Sequence, residues 1–230
     1  VNTLIGWQAG YAMTDTSNKV AIGYRAGYAN GGAMDVHIGY EAGRNVTAGD
    51  NISIGRSAGQ GYHGVGQTEF QDNTTNRYNV SIGNFAGQRA IGTNSVNVGY
   101  TAGWYATGSY NTFVGSEAGV GGTTSAPYSS GTKNVALGYQ ALKSFTTATA
   151  NVAVGHSALT NVKDATYSVG IGVHAGDHAT GSYNTFVGGQ AGYGGQTSAP
   201  FSSGTSNVGI GYYALRNFTT GYSNTVAGVN

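Results

Sequence analysis

Five histidines, nine carboxylates and ten lysines or arginines carry nearly all the reactive chemistry of this 230-residue chain, which contains no cysteine. Only His174, Asp177 and His178 stand close together. Two histidines four residues apart form a metal pair when a helix brings them to one face. Here they fall on a glycine turn, so a solvated turn is expected and no metal is assigned. The carboxylates share no repeated position, so neither an acid pair spaced for glycoside hydrolysis nor a ring of calcium ligands emerges. The phrase GYGG at 192–195 lacks the strand-then-helix setting of a phosphate loop. No catalytic residue and no cofactor are assigned, and the chain is expected not to be an enzyme. Asn-x-Ser/Thr triplets at Asn45, Asn51, Asn73, Asn79 and Asn217 are expected from the abundance of these residue types, so glycosylation is given little weight.

Aromatic side chains offer a better lead. Trp7, Tyr24, Tyr40, Tyr100, Tyr139 and Tyr212 each directly follow a glycine of one recurring phrase. Flat rings with a polar edge suit contact with a sugar or a protein surface. They equally suit stacking on one another or packing against a neighbouring chain. Tyr128 and Phe201, each preceded by proline in near-duplicate segments (GGTTSAPYSSGTKN and GGQTSAPFSSGTSN), form a second candidate binding surface.

The phrase that places these rings runs from end to end: Asn, a β-branched residue, any residue, Ile or Val, Gly, two variable residues, Ala, then Gly or Leu. Thirteen copies centre on glycines 6, 23, 39, 55, 83, 99, 115, 138, 155, 172, 188, 211 and 228, mostly 16 or 17 residues apart. Three longer spacings are the same unit with inserted loops near 61–77, 120–133 and 193–206, so residues 1–230 read as one continuous array.

Two β-branched or aliphatic residues flanking a variable one have the period of a strand, and those two are expected to point inward. Glycine then ends the strand where the chain bends or touches a neighbour. The unvarying Ala three residues later is expected to sit in a tight inward position. Nine copies open with Asn, which suits a turn and can stack with itself between rungs. This unit is the size of one coil of a parallel β-solenoid, an all-β fold of about 13 rungs with 16–17-residue coils. Such a rod has a thin core, so association of several chains is expected, most simply three about an axis.

Composition narrows the function further. Glycine supplies 41 of 230 residues, too many for a helical bundle. A net charge of +1 without a basic cluster leaves no footprint for nucleic acid. No run of 18 apolar residues exists, so membrane insertion is not expected.

The segments VAIGYRAG (20–27), VALGYQAL (135–142) and VAVGHSAL (152–159) resemble the head repeats of trimeric autotransporter adhesins, and spacers like ATGSYNTFVG (106–115) resemble those of phage-type tail fibres. The resemblance covers essentially the whole chain. It implies a left-handed, trimeric β-roll on a cell or virion surface, attaching to a surface glycan or protein. The units here are longer than the autotransporter repeat. The expected function is therefore a fibre or adhesin outside the cell, with a self-assembling filament lacking a dedicated ligand as the second reading. An ice-binding solenoid would need a regular outward row, typically of Thr. The residue between the two flanking strand positions, expected to face outward, is too irregular (Leu4, Ala21, His37, Ser53, Ser81).

Overall fold

The computed structural model describes residues 1–14, 17–61, 76–122, 129–195 and 202–229. Each copy of the phrase forms one three-residue strand ending just before its glycine. In chain order these are β1 (Thr3–Ile5), β2 (Val20–Ile22), β3 (Val36–Ile38), β4 (Ile52–Ile54), β5 (Val80–Ile82), β6 (Val96–Val98), β7 (Thr112–Val114), β8 (Val135–Leu137), β9 (Val152–Val154), β10 (Val169–Ile171), β11 (Thr185–Val187), β12 (Val208–Ile210) and β13 (Thr225–Ala227). They pair in parallel and in sequence order as one 13-stranded sheet. Equivalent residues of successive coils stand in register, as Val135 with Val152 and Leu137 with Val154. The fold is a β-solenoid of 16- to 17-residue coils. At about 4.8 Å per rung the sheet is on the order of 60 Å long.

The recurring glycine is required twice over. Gly155 has φ +129°, a conformation L side chains rarely adopt, and a Cβ there would lie 2.6 Å from the carbonyl oxygen of Gly172 on the next rung. The Ala three residues on is fully buried in every coil from Ala26 to Ala214.

Asparagine sets the parity of the strand. Four residues before the glycine, its side chain points into the rod and its Oδ1 accepts a hydrogen bond from the backbone N–H of the equivalent residue on the next rung. The series runs Asn111 to Asn134 (2.9 Å), Asn134 to Asn151 (3.0 Å) and Asn151 to Ser168 (2.8 Å). Asn Nδ2 also donates across the coil, as from Asn134 to Ala148 O at 2.8 Å. Ser95 and Ser168 keep the ladder with their hydroxyls. Successive side chains of a strand alternate, so an inward Asn forces the middle strand residue inward and both its flanks outward.

That parity corrects the expectation drawn from the β-branched pair. The middle residue is buried in every strand from β2 to β12, whereas the flanking Val, Ile and Thr are half-buried or exposed. The lumen has room for only one side chain of variable size per coil on this side, and the residue after the invariant Ala adjusts to it. Phe113 and Phe186 face Gly119 and Gly192, where a Cβ would lie 2.4 and 2.2 Å from the ring. His37 faces Gly43 in the same way. Where the middle residue shrinks to Ala136 or Ala153, Leu142 or Leu159 fills the space, fully buried. The result is a largely apolar core from Ala102 to Ala165 and a polar one around His37, Ser53, Ser81 and Asn97.

Candidate interaction face

The outward residues form columns along the rod. Positions three and one before the glycine give two aliphatic columns, for example Val80, Val96, Thr112, Val135 and Val152 beside Ile82, Val98, Val114, Leu137 and Val154. Each side chain is partly covered by its equals above and below, yet Ile52, Ile82, Val114, Leu137, Ile171 and Ile210 stay exposed. No charged residue stands in either column. The columns are regular, which also corrects the ground on which an ice-binding face was set aside: the irregular row is the buried one. The regular outward rows are chiefly aliphatic, with Thr in the strands only at Thr3, Thr112, Thr185 and Thr225.

Aromatic columns border this strip on both sides. On the glycine side stand the predicted Trp7, Tyr24, Tyr40, Tyr100, Tyr139 and Tyr212, all exposed. The structure stacks only the first three: Trp7 on Tyr24 at 5.0 Å and 16°, Tyr24 on Tyr40 at 4.9 Å and 9°. Arg25 lies 5.2 Å from the Trp7 ring and 5.3 Å from Tyr24, and is held in turn by Gln8 at 2.8 Å. These ring faces are occupied by one another, leaving edges and hydroxyls to solvent. Arg56 and Asn84 interrupt the column before Tyr100, and Ser116 separates Tyr100 from Tyr139, which tilts against His156 at 5.2 Å. Tyr212 sits against Tyr213 with centroids 3.8 Å apart.

The second column, five residues before the glycine, was not anticipated from the sequence. It contains Met34, Tyr78, Tyr110, Tyr167 and Tyr183, each more than half exposed, with Tyr167 and Tyr183 stacked at 5.5 Å and 9°. The signal was present in the spacing: these rings all precede the ladder Asn or Ser by one residue, at a left-handed turn position with φ between 55° and 62°.

The other candidate chemistry is dispersed. Asp177 accepts from Asn161 at 2.9 Å, lies 2.9 Å from His174 Nδ1 and 3.9 Å from His178 Nδ1. Among the described residues no group of three or more His, Cys, Asp or Glu could hold a metal ion. Glu117 is held below the usual carboxylate range by its hydrogen bonds to Lys143 and Gln140. Asn45, Asn51 and Asn79 of the glycosylation triplets are buried, and Asn217 is exposed. Tyr128 and Phe201 lie outside the described residues. Beside the inserted segments the chain regains register through parallel bridges, Ala106 with Ser129 and Ala179 with Ser202. Among the described residues no helix is long and apolar enough to cross a membrane. No family model, curated protein or solved structure matches the chain.

Proposed function

We propose that this chain is a non-enzymatic structural segment of a fibre or adhesin outside the cell, on a cell or virion surface. Copies associate in threes through the uncharged Val-x-Ile strip, with the aromatic columns and inserted loops left to meet a surface glycan or protein. The observation that carries this is the strip itself: two chiefly aliphatic columns, with Thr at four rungs of one of them, on the order of 60 Å long. A continuous apolar patch of that length is far beyond what isolated soluble chains leave uncovered. A second copy suits it because the strip is charge-free and repeats at one spacing along its whole length, so identical chains can pack in register. For a sugar, Tyr100 is one exposed ring that does not stack on another in its column, where its neighbours are Asn84 and Ser116, although Phe85 meets it edge to face at 6.3 Å.

Sedimentation of the purified chain tests this. The expected mass is three times the 23.4 kDa of one chain. Replacing Val96 and Val98 together by Lys is expected to give single chains with an unchanged circular dichroism spectrum, because both side chains already face outward. Open-ended particles growing with concentration would favour a filament instead. Single wild-type chains at all concentrations would contradict the proposal.

A further inference from the structure

The inward ladder is broken at one rung, and reactive groups gather at the break. Lys19 and Asp35 occupy successive positions where other rungs carry Asn or Ser. Asp35 still serves the ladder, its Oδ1 accepting from Asn51 N–H at 2.9 Å. A lysine has no acceptor. The Lys19 side chain, 2% exposed, instead meets Asn30, which is fully buried. Nζ lies 3.1 Å from Asn30 Oδ1 and 3.3 Å from Asn30 O. The orientation of the Asn30 amide is fixed independently, because Gly32 N–H donates to the same Oδ1 at 2.8 Å. Nδ2 therefore faces the other way, 2.6 Å from His37 Nε2. Asp35 Oδ2, buried and without a hydrogen-bond partner among the described residues, is 3.9 Å from that His37 nitrogen.

We propose that Lys19 and Asn30 become joined by a side-chain isopeptide bond, formed within the folded chain with release of ammonia. The reaction is acyl transfer from an amide to an amine and needs no oxidant or cofactor. The Lys19 ammonium gives up one proton to the Asp35 carboxylate, which lies within reach of its charge. The resulting amine forms the Nζ–Cγ bond, and the charge that develops on Oδ1 is held by Gly32 N–H. A second proton moves from Nζ to Nδ2 as the Cγ–Nδ2 bond breaks. The proton on Asp35 then leaves with the ammonia as ammonium, restoring the carboxylate.

The surroundings favour each step. Burial pushes the Asp35 carboxyl up to about 6 and the His37 imidazole down to about 3, so the first readily takes a proton and the second stays a neutral acceptor for Nδ2–H. A dry site also withdraws the solvation that holds an amine in its charged, unreactive form. The amine already sits 3.1 Å from the amide oxygen, so reaching Cγ asks for a shift of two side chains rather than a new encounter. The bond would close a covalent ring around β2, between positions eleven residues apart. A rival loss of ammonia exists, since Asn30 precedes Gly31 and the Gly31 nitrogen can attack the same Cγ to form a succinimide. That N–H is instead engaged with Val46 O at 3.0 Å.

Mass spectrometry of the full chain decides. The intact protein is expected about 17 Da below the mass of its sequence, the loss of one ammonia. Trypsin should fail to cut after Lys19 and yield one branched peptide joining residues 1–25 to 26–44. Lys19→Asn places the usual ladder residue in the gap, keeps the fold and should show the full mass. Asp35→Asn does the same for the ladder and should link about 100-fold more slowly or worse, the loss expected for a missing proton acceptor. A wild-type chain of full mass with free cleavage after Lys19, even after long incubation, would overturn the proposal. So would an ammonia loss that persists in Lys19→Asn, which would assign it to the succinimide. Linkage at an unchanged rate in Asp35→Asn would overturn the role given to that carboxyl.

Discussion

Truncating Phe113 to Ala probes the size matching that fills the lumen. Phe113 is fully buried, 5.5 Å from the Phe145 ring, so its loss leaves a cavity costing about 3–5 kcal/mol. For a chain of this length that is a fall in Tm on the order of 6–20 °C. Gly119→Leu alone should be at least as damaging, because even a Cβ there would lie 2.4 Å from Phe113 Cδ1. Combined, the two changes recreate the Ala136 with Leu142 arrangement of the next rung, and Leu142 already adopts the needed backbone with φ 50°. The double variant should therefore be only about 1–2 kcal/mol below wild type, the cost of a left-handed non-glycine residue plus imperfect filling. The coupling between the sites should then favour the pair by at least about 3 kcal/mol, beyond what neighbouring residues usually show when they act independently. Urea unfolding followed by circular dichroism supplies all four stabilities. Additive losses, with the double variant worse than either single one, would refute the matching of middle strand residue to post-Ala residue.

The ladder makes a separate prediction: Asn134→Ala removes the acceptor for Asn151 N–H and the donor to Ala148 O, costing about 2–3 kcal/mol by urea unfolding, whereas Asn134→Ser should cost distinctly less, as Ser95 and Ser168 already hold their rungs. The buried Asp35 and His37 should oppose each other on acidification. Asp35 takes up its proton in the folded chain near pH 6, against the ordinary 3.8, so it adds stability as pH falls through that window. His37 resists protonation until about 3, against 6.5, so it removes stability as pH falls through its own. His37→Ser should therefore gain stability towards pH 4 relative to wild type, and Asp35→Asn should lose it more steeply. Urea midpoints against pH check both, and parallel curves for all three proteins would refute the assignment. Lysine at both Val96 and Val98 should abolish association while leaving the fold intact, as measured by sedimentation and circular dichroism.

Strand positions, rung number, the tight Ala and the self-stacking Asn could all be read from the repeat, because each depends on one residue type recurring at one position. The direction of the strand could not be read from its most apolar residues. Val and Ile were expected inside because they are the apolar members of the triplet, yet a coil this narrow is filled by Ala, Ser, Asn and an occasional Phe, and the larger aliphatics face out. The signal that settles the direction is relational rather than local: Asn fixes the parity, and Phe113 with Gly119 against Ala136 with Leu142 shows which positions share space. Tyr110, Tyr167 and Tyr183 share one repeat position, directly before the ladder residue, and that shared position is what marks them as a column. The Lys19, Asn30 and Asp35 cluster escaped the repeat entirely, since its members are the departures from the pattern.

Cross-linking of introduced cysteines tests the claim that identical chains meet across the Val-x-Ile strip most directly, because the natural sequence has none to confuse the result. Val98→Cys, in the outward column of β6, is expected to give a species of two joined chains when treated with a short thiol-to-thiol cross-linker in dilute solution. Lys163→Cys, exposed elsewhere on the rod, is expected to remain at 23.4 kDa. Joining through Lys163→Cys but not through Val98→Cys, or through neither, would contradict the account.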